Sequence, residues 1–275
     1  MGNIRVIGPR GSGKTTYLAA LAYWQYKNKQ EGKKVNFTIN PLNDDTKTLA
    51  RRAEDIILQA STLEPDQVIG GIDTLPFYSF KIEIQPDLGK PEEIILAARD
   101  YPGEIFEGLD SGSTNPLHQE FIDECFVGDV AGCLILLNEW KSGTDKFYKR
   151  IIDKFTHLME SHDRGNNLRL AVAISKCERG ELWPGRLEPE IDLFNRHLPE
   201  TTRLLKERIP ANNLQFYAIS TFGVLHRNDP RPNRVDELGT SGRLSVLREA
   251  NKWRPYGMIS PLYWLSKGKR MRYDT

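Results

Sequence analysis

Cysteine is scarce in this 275-residue chain: there are three, Cys125, Cys133 and Cys177, an odd number without metal-ligand spacing. That excludes a disulfide-stapled scaffold and fits the reduced thiols of a cytoplasmic protein. An excess of charge is missing too. Thirty-eight Lys and Arg against 37 Asp and Glu leave a net charge of +1, which argues against a surface built as a whole to grip nucleic acid. Long apolar runs are absent. The longest, Val130 to Leu137, is eight residues, too short to span a bilayer. Asn3–Ile7 is too short for the apolar region of a signal peptide. The five histidines (His118, His157, His162, His197 and His226) show no metal spacing. There is no internal repeat and no low-complexity tract. What remains is a composition 39% hydrophobic and 27% charged, ordinary for a globular chain that can bury a core unaided.

Apolar runs of strand length alternate with helical patterns. Ile4–Ile7, Val35–Ile39, Phe77–Ile84, Ile94–Ala98, Gly132–Leu137, Leu170–Ile174 and Leu214–Ile219 read as strands. Phe77–Ile84 alternates, as a strand with one wetter face would; Ile94–Ala98 and Gly132–Leu137 are continuous, as in strands buried on both faces. Thr15–Lys29, Thr46–Ala60, Phe147–Met159 and Glu190–Ile209 carry apolar residues at three- and four-residue steps and read as helices. The alternation predicts an α/β fold, a mostly parallel sheet with helices on both faces in three layers. Pro230, Pro232, Gly239 and Gly242 break up the segment after Phe222, which reads as a loop-rich insertion over 223–255. A terminal helix follows over 259–269, with Ser260 as N-cap and Pro261 at its first position. The expectation is one elaborated domain over 1–275, with its core at 3–222. The basic tail Lys267, Lys269, Arg270 and Arg272 reads as a solvated end, with an anionic partner as the alternative. Trp253, Tyr256, Tyr263 and Trp264 read as packing of the last helix on the sheet, or a partner surface.

Gly8-Pro9-Arg10-Gly11-Ser12-Gly13-Lys14-Thr15 fits G-x-x-x-x-G-K-[ST], with a strand before and a helix after. Glycines let the backbone curl so that successive N–H groups face phosphate oxygens. The helix N-terminus, from Lys14 through Thr16, adds its dipole. Lys14 brings a point charge to the β- and γ-phosphates, and Thr15 offers a hydroxyl to Mg²⁺. Arg10 belongs to the loop, its side chain facing solvent or a partner. Asp100 ends the buried run Ile94–Ala98, where ligands bind in open α/β sheets. It suits Mg²⁺ opposite Thr15, and Gly103 in Asp100-Tyr101-Pro102-Gly103 can meet a γ-phosphate through its N–H.

This phosphate loop followed by D-x-x-G resembles the P-loop GTPases of the translation-factor-related (TRAFAC) superclass. The layout is similar to that of its divergent prokaryotic double-GTPase branch, with a helix near Thr46 and a late Trp253-to-Gly257 segment. The resemblance covers residues 3–222. It implies that Ser175-Lys176-Cys177-Glu178 stands where the family has N-K-x-D, and Ser220-Thr221 where it has a Ser-Ala pair. Glu178 would then accept the guanine N1–H and N2–H₂, and Lys176 would lay its stem along the base. Ser175 loses the amide that ties this loop to the phosphate loop. A helix-start turn is the alternative reading of Ser175–Glu178. The resemblance also implies a Mg²⁺-binding threonine upstream of Asp100: Thr74, or else Thr62. Glu104 takes the place of a water-orienting Gln, where its charge would oppose the γ-phosphate. Arg99 precedes Asp100 and points away from it on the strand.

These residues imply a cytoplasmic, Mg²⁺-dependent switch that binds GTP and GDP, hydrolyses GTP slowly, and regulates a protein effector through a mobile loop around Tyr101–Gly112. ATP remains open because Ser175 and Glu178 depart from the family pattern. The rivals are an ATP-using phosphotransferase or ATPase on the same loop, and a scaffold that keeps its nucleotide unhydrolysed. Partner identity and oligomeric state are left open.

Overall fold

The computed structural model describes residues 2–31, 37–59, 74–85, 90–111, 116–138, 140–236 and 245–271. Val35, Ala60, Thr62, Gly112, Gly239, Gly242 and Arg272, named above, lie outside the described residues. The seven apolar runs form β1 (Asn3–Ile7), β2 (Phe37–Pro41), β3 (Phe77–Ile84), β4 (Glu92–Arg99), β5 (Val130–Leu137), β6 (Arg169–Ile174) and β7 (Leu214–Ala218). They make a single sheet in the order β2-β3-β4-β1-β5-β6-β7. Neighbours pair in parallel from β4 through β7, and β3 runs antiparallel to both of its neighbours. The fold is therefore α/β with a mostly parallel sheet. Strand β5 explains its own continuous apolar run: Leu134 and Leu136 enter the core on one face, Cys133, Ile135 and Leu137 the core on the other. Strand β3 alternates, burying Tyr78, Phe80, Ile82 and Ile84. All three cysteines are buried free thiols.

Helices α1 (Lys14–Glu31) and α2 (Asp44–Gln59) cover one face. The other is covered chiefly by α3 (Gly103–Glu107), α4 (Pro116–Phe126), α5 (Thr144–Ser161) and, past the three-residue α6 (Asn195–His197), α7 (Pro199–Arg208). Helix α8 (Ser260–Lys267) returns to the first face and packs across β1, β4, β5 and β6.

Four local readings change. The helix expected over Glu190–Ile209 is broken. A π-turn at Glu190–Phe194 leads into α6, Leu198 leaves helical geometry, and Pro199 starts α7. Proline disfavours helix at the residue before it and suits a first turn. Asp145 of α5 caps the new start, accepting the Glu200 and Thr201 amides at 2.8 and 2.9 Å. Second, Ser260 is not a cap. Ile259 before it already has helical dihedrals, and the Ser260 hydroxyl has no hydrogen-bond partner among the described residues. Third, the stretch expected as a mobile loop around Tyr101–Gly112 is short helix from Gly103 through Ser111. It is pinned by buried Tyr101, Ile105, Phe106 and Leu109.

The insertion is the fourth change. It holds two antiparallel pairs, β8 (Val224–His226) with β9 (Asp229–Pro232), and β10 (Arg234–Asp236) with β11 (Ser245–Leu247). Trp253 fastens it. Its indole N–H donates to the Thr221 carbonyl at 2.8 Å, and its ring lies 4.9 Å from that of Tyr23 on α1. Trp253 and Trp264 are both buried in the core with α8, in keeping with the packing reading.

Candidate functional site

Because β1, β4, β6 and β7 point the same way, the loops after them meet at one edge of the sheet. They surround a cavity of about 340 Å³. Its walls include Arg10–Thr16 after β1, Asp100–Gly103 after β4, Ser175, Lys176 and Glu178 after β6, and Thr221 after β7. Gly8 and Ser220 stand just behind that wall, each bonded to a lining residue through its own oxygen. Thr74 is not brought in: it is exposed on the turn before β3 and does not line the cavity. The turn after it is tied to the end of β4, the Leu75 carbonyl by Arg99 Nη1 at 3.1 Å and the Pro76 carbonyl by the Asp100 amide. Arg99 also meets Glu124 at 2.9 Å, away from the cavity as its strand position implies.

At the phosphate-loop end, Gly13 sits at φ +86°, in the left-handed region that glycine tolerates. Lys14 Nζ donates to the Gly8 and Pro9 carbonyls at 2.8 and 3.2 Å. Burial lowers the Lys14 pKa, opposed by the charges of Asp100, Glu104 and Glu107. A polyanion beside this ammonium supplies what burial removed. The Ser12 hydroxyl is buried without a hydrogen-bond partner among the described residues, an orphan that a phosphate oxygen would satisfy.

Thr15 Oγ1 donates to Asp100 Oδ2 at 2.7 Å. Burial raises the Asp100 carboxyl, and the Thr15 hydrogen bond and Lys14 only partly offset it. Two hard oxygen ligands side by side fit Mg²⁺, which takes few protein ligands and completes its shell with phosphate and water. A cation there would also favour the ionised carboxylate. Thr15 and Asp100 would hold it, and it would neutralise charge on the phosphates.

Gly103 packs directly on the phosphate loop. A Cβ there would lie 2.1 Å from the Arg10 amide nitrogen and 2.5 Å from the Pro9 carbonyl carbon. Arg10 is gripped from the same helix: its amide donates to Glu107 at 2.7 Å, and its guanidinium pairs with Glu104 at 3.3 Å. Glu104 thus does not line the cavity itself but sits in an exposed ion pair with Arg10, which does.

At the opposite end one expectation needs correction. Ser175 does keep a tie to the phosphate loop: its hydroxyl donates to the Ser12 carbonyl at 2.8 Å. A serine suffices because the Ser175 amide already bonds to the Leu137 carbonyl, which draws the loop close to β5. Lys176 takes φ +59°, and burial with nearby Arg234 and Arg179 pushes its pKa down to about 8. Glu178 is fully buried; its Oε2 accepts from Ser220 Oγ at 2.6 Å. Its Oε1 faces Arg234 Nη1 at 3.3 Å.

Arg234, Phe222, Ser245 and Glu107 were missed in the sequence. Glu107 was legible in principle, since it shares a helical face with Glu104 once α3 is recognised. Nothing around Arg234 marks it, because its partner lies 56 residues away. Among the described residues no group of three or more His, Cys, Asp or Glu could hold a metal by itself. No helix among them is long and apolar enough to cross a membrane.

No family model matches the chain, and no curated protein matches it. Solved structures that match include that of sup35 complexed with GDP, at 10% identity and a TM-score of 0.35. The match covers 88% of this chain and 40% of that one. At that score the likeness carries no argument, and the α/β assignment rests on the strands themselves.

Proposed function

We propose that this protein is a Mg²⁺-dependent guanine-nucleotide switch of the P-loop GTPase kind, a divergent relative of the TRAFAC double-GTPase branch. It acts in the cytoplasm as one elaborated domain, and its output is a change of affinity for a protein partner. The observation that carries the reading is the convergence of four separate signatures on one cavity. Thr15 bonds to Asp100, Ser175 to Ser12, and Ser220 to Glu178. A glycine-rich turn by itself would not bring Asp100 or Ser175 to it.

In this reading Lys14 and the loop amides bind phosphate, Thr15 and Asp100 hold the cation, and Gly103 meets the γ-phosphate. Glu178, placed by Ser220, accepts the base edge. Glu104 gives no neutral partner to an attacking water, so hydrolysis is slow. Because α3 is anchored by Ile105 and Phe106, nucleotide state moves it as a packed unit rather than as a loose loop.

Calorimetry with GTP, GDP, ATP and ADP, with and without Mg²⁺, tests this. Guanine nucleotides should bind at least about tenfold tighter than adenine nucleotides, about 1.4 kcal/mol, and Mg²⁺ should tighten the triphosphate. Equal affinities would remove Glu178 as base reader, and no binding would remove the whole reading. Single-turnover GTP loss faster than about 1 s⁻¹ would contradict slow hydrolysis.

A further inference from the structure

The insertion places an arginine where no signature calls for one. Arg234, the first residue of β10, has only 4% of its side chain exposed and faces a Glu178 that is fully buried. Its guanidinium carbon lies 5.6 Å from the centre of the Phe222 ring, and Arg234, Phe222 and Glu178 all line the cavity that holds the phosphate loop. The arginine is itself braced. Its Nε donates to Asp236, which also accepts from Ser245 Oγ at 2.8 Å and meets Arg179 at 3.0 Å.

The chemistry of the two candidate partners of Glu178 is alike. The guanine edge N1–C2–N2 is a guanidine unit, with N–H groups directed side by side at a carboxylate. An arginine presents the same pattern in its fork. Adenine does not: its Watson–Crick edge has one amine donor beside a ring acceptor. The carboxylate has two oxygens, and Ser220 already occupies Oε2. Each oxygen can accept a second bond, but Glu178 is fully buried with Arg234 against Oε1, so a base that engages it through both donors must share Oε2 with Ser220 and move the guanidinium aside to reach Oε1.

Resting on the reading of Glu178 as base acceptor, we propose that Arg234 is a specificity-determining residue, an internal stand-in for guanine that the base must displace. Displacement has two consequences. Guanine nucleotide binds more weakly than it would to a bare Glu178, because the buried pair must first open. Adenine nucleotide gains no entry to the carboxylate, since opening the pair would leave the buried Glu178 with the Ser220 hydroxyl alone and no second donor to replace the guanidinium. The displaced guanidinium sits on β10, so occupancy of the base site reaches the β10–β11 pair through Asp236 and Ser245.

The test is calorimetry of GDP and ADP binding to the full chain and to Arg234→Ala. The variant should bind GDP at least tenfold tighter than the wild type, while its ADP affinity changes less than threefold. GDP affinity that stays equal or falls would overturn the proposal and leave the guanine reading standing. Failure of every nucleotide to bind either protein would remove the guanine reading and this proposal with it. Should Arg234→Ala not fold, hydrogen exchange of the wild type decides. Amides of residues 234–236 and 245–247 should exchange faster with saturating GDP than without nucleotide, and saturating ADP should leave them unchanged. Slower or unaltered exchange with GDP would overturn the proposal.

Discussion

The two ends of the cavity are built by different rules. At the phosphate-loop end the polar groups follow neighbouring strands, β1 and β4: Lys14 and Thr15 open the helix after the loop that leaves β1, and Asp100 directly follows β4. Lys14, Thr15 and Asp100 meet through contacts that those strand ends dictate. At the other end Glu178 and Ser220 arrive in the same way after β6 and β7. They are then closed over by Arg234 from an insertion outside the sheet. On the proposed reading the first end meets a ligand whose chemistry never varies, so backbone amides and one lysine suffice. The second end would discriminate, and discrimination draws on buried charge in a low-dielectric setting where an unmatched partner is costly.

The contrast can be broken most forcefully at Gly103. With a Cβ only 2.1 Å from backbone that cannot yield, Gly103→Ala should lower stability by about 2–3 kcal/mol, read by urea unfolding. A variant as stable as the wild type would mean that the phosphate-loop end is not rigid.

Next comes Lys176, held near pKa 8 against 10.5 for the free side chain. Between these values the unfolded chain binds more protons than the folded one, so stability rises with pH. Below about 8 both states are protonated and the cost of burying the charge is present in full; it is relieved as pH climbs towards 10.5. From pH 7.5 to 9.5 the wild type should gain about 2 kcal/mol relative to Lys176→Met. Parallel pH profiles of the two proteins would refute the shifted lysine.

A smaller effect probes the link between the ends. Ser175→Ala removes the bond to the Ser12 carbonyl at 2.8 Å. It should cost about 1 kcal/mol of stability and weaken GTP and ATP binding by the same few-fold factor. An effect on GTP alone would show that Ser175 serves the base and not the phosphate loop. The smallest effect belongs to Arg10→Ala. Its pair with Glu104 is more than half exposed on both sides, so thermal unfolding should register less than about 0.5 kcal/mol. A larger loss would make the cavity mouth part of the structural frame.

Much of this was legible before any fold was known. The seven strands, the phosphate loop and the placement of Asp100 follow from apolar period and short motifs, because each depends on neighbours in the chain; Ser175 and Ser220 were singled out by the family resemblance. The break at Pro199 was legible too, had proline been weighed above the apolar spacing that ran through it. Helix α4 was legible in principle, since Leu117, Phe121 and Cys125 recur at four-residue steps after Pro116; the short α3 was not, because Gly103–Glu107 is a single turn whose buried side chains acquire meaning only when α4 and α5 pack on them. Ser175 shows the limit from another side. Its residue type suggested a lost tie, and only the closeness of the loop to β5 lets a shorter side chain make it.

Local chemistry along the chain thus specified an α/β sheet and a phosphate loop with its acidic partner, since hydrogen-bond geometry and side-chain period act over a few residues. The state of Glu178 was specified by packing at a distance. A buried carboxylate takes whichever donor the fold delivers, and here the donor comes from a segment 56 residues away that no local pattern connects to it.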